Sequence, residues 1–177
     1  MKNRVEVEVR TLISFPEYKK LSQKLKRIAK FEKEIREETI YLGSERLRIR
    51  KDQKACYLIF KFGKIHQDSR REIEIEFKRK DFEKLKEVFK NLGFPIIAKW
   101  KRKRKVFNWG KTKVFLDDTK GYGKIIELER ITDKKNRKKV LEELKDKLQI
   151  LGIKKITPKE VFDKKFKEYL KNWKKLL

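Results

Sequence analysis

The chain has 177 residues, 45% of them charged, with 53 Lys plus Arg against 27 Asp plus Glu and a formal net charge of +26. One cysteine and one histidine exclude an intrachain disulfide and any zinc centre built on Cys and His ligands. No apolar run approaches the roughly 20 residues that a membrane-spanning helix needs, and the first residues lack a secretory h-region.

Val5-Glu6-Val7-Glu8-Val9-Arg10 alternates apolar and charged residues, which predicts a strand with a carboxylate row on one face and an apolar row on the other. Residues 16–31 place Tyr18, Leu21, Leu25, Ile28 and Ala29 at helical spacing, with Pro16 in the first turn. Strands are predicted at 35–42, 46–50 and 55–62, divided by the turn signals Gly43-Ser44 and Asp52-Gln53. A loop from Gly63-Lys64 to Asp68-Ser69 carries His66, read as a surface residue. Glu72-Ile73-Glu74-Ile75-Glu76-Phe77-Lys78 then repeats the opening pattern. A second helix follows, N-capped by Asp81, with Phe82, Leu85, Val88, Phe89 and Leu92 on one face and Gly93 at its C-cap. Three more strands are expected at 96–107, 112–116 and 124–130, separated by Asn108-Trp109-Gly110 and by a turn ending in Gly121-Tyr122-Gly123. Helices at 133–151 and 158–177 close the chain, joined by Gly152 and Thr157-Pro158.

The order β-α-β-β-β occurs twice, so the chain reads as one α+β domain spanning 1–177, with an internal repeat (1–63 and 71–130) and a two-helix C-terminal tail. Eight antiparallel strands leave exposed edges unless they close, and a barrel removes them. In a wide barrel with helices outside, the apolar rows meet the helices and the charged rows face the lumen. Cys56 is then simply packed, and a lone thiol suits a reducing cytoplasm.

The lumen rows carry both signs. Glu6, Glu8 and Arg10 share one strand; Arg46, Arg48 and Arg50 a second; Lys61 a third; Glu72, Glu74 and Glu76 a fourth; then come Arg102 and Arg104, Asp117, and Glu127 with Glu129. Hard cations such as Mg²⁺ or Mn²⁺ take carboxylate oxygens together with substrate phosphates. Guanidinium forks hold phosphate oxygens. Glu6, Glu8, Asp117, Glu127 and Glu129 are therefore the candidate metal ligands, and Arg48, Arg50, Lys61, Arg102 and Arg104 the candidate phosphate binders. No Gly-rich phosphate loop of the Walker type and no Gly-x-Ser-x-Gly elbow offers another chemistry.

These residues carry a family likeness. Glu6-Val7-Glu8-Val9-Arg10, Leu47-Arg48-Ile49-Arg50, Ile59-Phe60-Lys61, Ser69-Arg70-Arg71-Glu72-Ile73-Glu74, Arg102-Lys103-Arg104 with Phe107, and Leu116-Asp117-Asp118 ahead of Gly121-Tyr122-Gly123 and Glu127-Leu128-Glu129 come in the order of the CYTH family. The chain resembles that family, the triphosphate tunnel metalloenzymes, from about residue 5 to residue 130. The resemblance implies an eight-stranded antiparallel tunnel that binds ATP or another triphosphate with Mg²⁺ or Mn²⁺. It implies roles in the chemistry for Glu6, Glu8 and Arg10, and Glu74 or Glu76 is placed to orient a nucleophile. Arg10 and Arg102 stand where the family has lysine; charge is kept, but a guanidinium does not readily give up a proton. The late motifs and the helical tail look most like the class IV adenylate cyclase branch, which makes cyclic AMP and pyrophosphate from ATP. Inorganic tripolyphosphatase, or thiamine or nucleoside triphosphatase, is the alternative on the same residues. The C-terminal helix of related enzymes brings a lysine over one tunnel mouth, and Lys164 and Lys165 are the candidates here.

Composition offers a further reading. A net charge of +26 fits a nucleic-acid binder, and a noncatalytic binder of polyphosphate or RNA is the alternative from another class. Yet the lysines are spread over every segment, a Lys/Glu-rich pattern also found on hyperthermophile surfaces. Within Lys99-Trp100-Lys101-Arg102-Lys103-Arg104-Lys105, strand alternation turns Arg102 and Arg104 inward and the odd-numbered lysines to solvent. A monomer or homodimer is expected.

Overall fold

The computed structural model describes residues 4–63 and 72–177; residues 1–3 and 64–71, with His66 and the Ser69-Arg70-Arg71 segment among them, lie outside the described residues. The chain runs β1 (Arg4–Ile13), α1 (Phe15–Ile28), β2 (Lys30–Leu42), β3 (Ser44–Lys51), β4 (Ala55–Lys61) and β5 (Glu72–Lys78). A 3₁₀ turn over Arg79–Asp81 leads into α2 (Phe82–Asn91), followed by β6 (Ile96–Trp109), β7 (Thr112–Thr119), β8 (Gly123–Asp133), α3 (Arg137–Ile150) and α4 (Lys159–Leu176).

All eight strands join one curled antiparallel sheet in the order β1-β8-β7-β6-β2-β3-β4-β5. The order is unchanged when β1–β4 are exchanged with β5–β8, the relation a duplicated unit leaves, and its centre is the long β2/β6 pair. The two end strands of this order are β1 and β5.

Alternation assigns the two faces. Val7 and Val9 of β1, Phe107, Val114, Leu116, Ile126 and Leu128 pack against Leu21 and Leu25 of α1 and Val140, Leu144 and Leu148 of α3. Ile40, Leu42, Ile49 and Cys56 receive Phe82 of α2 in the same way. Cys56 is fully buried and its thiol donates to the Lys78 carbonyl at 3.3 Å. The charged rows occupy the opposite, inner face. There α4 covers one end of the tunnel, setting Phe162, Phe166 and Tyr169 against Tyr41, Trp100, Tyr122 and Ile125. The linker before α4 is pinned to the edge strand: the Leu12 amide donates to Thr157 Oγ1 at 3.0 Å and the Thr157 amide to Thr11 Oγ1 at 2.9 Å.

Several boundaries differ from the sequence expectation. Helix α1 starts at Phe15, because Ser14 and Glu17 form a capping box, and it stops at Ile28, leaving Ala29 as the C-cap and Phe31 on β2. Strand β2 begins at Lys30 despite its charged start, since β6 pairs with it as far as Asn108 and Phe31 packs edge-on to Phe107 at 5.3 Å. Asp81 makes no side-chain cap; it closes the 3₁₀ turn in a helical conformation. Val88 and Leu92 of α2 face solvent, because only Phe82, Leu85 and Phe89 reach the sheet. Asp133 ends β8 instead of starting α3, its carboxylate accepting from the Asn136 amide at 2.8 Å.

Candidate functional site

Five strands, β1, β2, β6, β7 and β8, contribute to an ion network on the inner face. Arg104 forks onto Asp117, Nε to Oδ1 and Nη2 to Oδ2, both at 2.7 Å, and Nη2 also reaches Glu127 at 3.3 Å. Arg102 donates to the same Asp117 at 3.0 Å and through Nε to Glu37 at 2.8 Å. Burial alone would raise Asp117 and Glu37, yet neighbouring guanidiniums hold both carboxyls below their usual range. Arg10 stands across from Glu127 and bridges it at 3.9 Å and Glu8 at 3.6 Å, with its guanidinium over the Phe162 ring. As the alternation predicts, Lys101 and Lys103 are exposed on the other face; Lys105 instead tucks under α1 and donates to Ser22.

Glu6 and Glu8 of β1 and Glu129 of β8 are shifted opposite to Asp117. Burial, reinforced by Glu127, pushes Glu8 up to about 7, and burial, reinforced by Glu6 and Glu127, does the same to Glu129. Glu6 is raised by burial, with Lys61 opposing. Glu127 has Arg104 and Arg10 as partners and Glu8 has Arg10, but Glu6, Glu8 and Glu129 also feel one another or Glu127 as repelling neighbours. That donor set fits a hard divalent cation, which would remove the repulsion. Among the described residues no three acidic side chains form a ready-made cation cage.

On the other flank, Arg50 pairs with Glu74 at 2.9 Å and Lys61 with Glu72 at 2.5 Å, while Arg48 donates to the Tyr41 hydroxyl at 3.3 Å. The buried Nε atoms of Arg48 and Arg50 have no hydrogen-bond partner among the described residues. Arg10, Arg48, Arg50, Arg102, Asp117 and Glu127 share one cavity of about 120 Å³, walled at one end by Tyr41, Trp100, Tyr122, Phe162 and Phe166. Lys61, Glu6, Glu8, Glu129 and Arg104 do not line that cavity. Glu76 stands opposite Tyr57 on the exposed strand β5, away from the carboxylate cluster.

Sequence reasoning missed Glu37 and the aromatic wall. Glu37 was hidden in the charged run 30–38, although Ile35, Glu37, Thr39 and Tyr41 alternate as an inward row. The wall was legible as the i, i+4, i+7 spacing of Phe162, Phe166 and Tyr169. Tyr122 joins that wall, 4.5 Å from Trp100, whereas Trp109 belongs to the outer core beneath Lys147. Of the two candidate lysines, Lys165 lies with its ammonium over the Tyr122 ring.

A curled antiparallel sheet with arginine and glutamate rows facing inward is a tunnel architecture for a polyanion. The chain belongs to the CYTH domain family, whose profile matches residues 4–160. A protein of Methanocaldococcus jannaschii, provisionally named an adenylate cyclase, is 33% identical over 162 residues, covering 85% of this chain and 91% of that protein. A conserved hypothetical protein of Pyrococcus furiosus has a solved structure that is 30% identical, with a TM-score of 0.68 over 85% of this chain and 92% of its own. A provisionally named adenylyl cyclase from Hippeastrum, described as having a dominant triphosphatase activity, shares the fold at 20% identity and a TM-score of 0.62, covering 85% of this chain and 88% of that one. No helix of the described residues is long and apolar enough to cross a membrane.

Proposed function

We propose that this chain is a metal-dependent phosphoryl-transfer enzyme that takes a triphosphate along the inner face of its sheet, with the class IV adenylate cyclase reaction as its activity. The observation that carries the reading is the single cavity in which Arg10, Arg48, Arg50 and Arg102 surround Asp117 and Glu127. Arg48 and Arg50 come from β3, Arg102 from β6 and Arg10 from β1, so guanidiniums from three strands line the cavity that would take the phosphate chain. Arg104 holds Asp117 in place, and Lys61 extends the cationic row toward Glu6.

Glu6, Glu8, Glu127 and Glu129 would hold Mg²⁺ or Mn²⁺, with phosphate oxygens completing the shell as is usual for Mg²⁺. Such an ion neutralises phosphate charge and polarises the reacting phosphorus. Glu74, paired with Arg50, is the carboxylate assigned in this reading to orienting the attacking hydroxyl. In the cyclase reaction the ribose 3′-oxygen bonds to the α-phosphorus, the bond to the bridging oxygen breaks, and pyrophosphate leaves. The name of the M. jannaschii relative supports this choice. A second reading, a tripolyphosphatase or organic triphosphatase in which water attacks the terminal phosphorus, is favoured by the small cavity of about 120 Å³.

Product analysis tests the proposal. With Mg²⁺ or Mn²⁺, cyclic AMP and pyrophosphate from ATP establish the cyclase. Orthophosphate from tripolyphosphate or thiamine triphosphate establishes the second reading. Loss of either activity in Glu6→Gln/Glu8→Gln, with tripolyphosphate still bound, ties turnover to the carboxylates. If neither product forms while tripolyphosphate binds, the protein is a binder and the catalytic proposal is wrong.

A further inference from the structure

A second basic surface lies outside the tunnel. On the outer face, between α1 and α2, the centre of the sheet is left uncovered, and a hollow of about 640 Å³ opens there over residues 36–38 of β2 and 101–103 of β6. Elsewhere the outer face is apolar because helices cover it. Here it presents Arg36, Glu38, Lys101 and Lys103, with Asp118, Lys120 and Arg79 at the rim.

Among the described residues, the acids of the hollow already have partners. Glu37 is turned inward to Arg102, Glu38 bridges Lys51 at 3.3 Å, Asp118 bridges Lys124 at 2.7 Å, and Asp52 accepts from the Lys54 and Ala55 amides at 2.7 and 3.0 Å. The exposed side chains of Arg36, Lys101 and Lys103 make no ion pair or hydrogen bond among the described residues. Moreover, Arg36 stands directly across from Lys103 in the β2/β6 ladder. Like charges facing each other on neighbouring strands are destabilising; Asp118, across from Lys103 on β7, is already bridged to Lys124, and Glu38, across from Lys101, to Lys51.

We propose that this hollow is a docking groove for the phosphate backbone of a nucleic acid, separate from the triphosphate tunnel. An elongated polyanion lying over β2 and β6 satisfies Arg36, Lys101 and Lys103 together and relieves the Arg36/Lys103 repulsion. A concave groove fits a chain of phosphates better than a flat anionic membrane. No aromatic side chain lines the hollow, so contact is with the backbone, independent of sequence, and read through salt dependence rather than base stacking.

The test compares wild type with R36Q/K101Q/K103Q for binding a short labelled single-stranded RNA, and the DNA of the same sequence, across a salt series. The groove variant should lose at least about tenfold in affinity, and its slope of log K against log salt should fall by about two, three single-strand phosphate contacts counting about 0.7 each. A tunnel variant, R48Q/R50Q, should bind the strand as wild type does. A charge-matched control, K20Q/K90Q/K138Q, removes exposed lysines that do not line the groove and should change little. Equal losses in control and groove variants mean that diffuse surface charge alone is at work, and overturn the proposal. So does loss in the tunnel variant alone, or groove-dependent binding to phosphatidylserine vesicles without binding to either nucleic acid. Melting curves of each variant separate a binding defect from unfolding.

Discussion

Asp117 shows how one side chain organises the site. It is 2% exposed and accepts from both Arg102 and Arg104, so its removal strands two guanidiniums in a dry interior. Breaking a buried ion pair at one partner costs about 3 kcal/mol or more, and Asp117→Ala should lower the unfolding free energy by about that much in urea titration. A loss within 0.5 kcal/mol would mean that Glu37 and Glu127 suffice as partners. Glu8 and Glu129 carry the opposite sign. Both are raised from 4.5 to about 7, so the fold favours their protonated forms. Their contribution to stability is fully present below pH 4.5 and is lost as pH rises to about 7. In metal-free buffer, E8Q/E129Q and wild type should therefore melt together near pH 4.5, the variant gaining over wild type as pH rises and holding a constant lead above 7. A gap of the same size across the whole range contradicts this account.

Among the elements, α4 and the β7–β8 turn determine how the tunnel ends. Gly121 has φ +70° and a Cβ there would meet Leu176 Cβ at 2.5 Å, so both conformation and the close approach of α4 demand glycine. Gly121→Ala should cost at least about 1 kcal/mol, and Gly110→Ala, strained but in open space, should cost less. Similar costs at the two positions would show that α4 yields freely. Phe166 is 5% exposed between Tyr41 and Trp100. Phe166→Ala should destabilise by about 3–5 kcal/mol through the cavity it leaves, which thermal and urea unfolding will report. A much smaller loss would mean that the aromatic wall collapses to fill the space.

At the scale of the whole molecule, a net charge of +26 repels itself. Raising NaCl from low to physiological levels screens exposed charges while leaving the buried arginine network largely untouched. The melting temperature should therefore rise with salt. A fall would mean that surface ion pairs outweigh the repulsion. The same charge draws anionic ligands toward the protein, and the two basic surfaces, one inside the curled sheet and one between α1 and α2, differ in what they can take. The tunnel is narrow and carboxylate-lined; the outer hollow is wide and has its acids already paired.

Period-two alternation by itself determined most of this architecture: which residues share a face, that Arg102 and Arg104 turn inward, and that the β-α-β-β-β order occurs twice. It did so because a strand offers only two sides, and helices cover the apolar one. Alternation could not reveal β2 from Lys30, since charged residues there are held by pairing with β6 rather than by burial. Nor could it choose partners. Which carboxylate meets which guanidinium depends on strand order and register, and these set Asp117 between Arg102 and Arg104, give Glu127 both Arg104 and Arg10, and leave Glu6 and Glu129 to repel each other. Only the tertiary structure decided that α4 closes the inner end and that α1 and α2 leave the middle of the outer face bare, because helix placement follows from packing across the sheet and not from any local pattern.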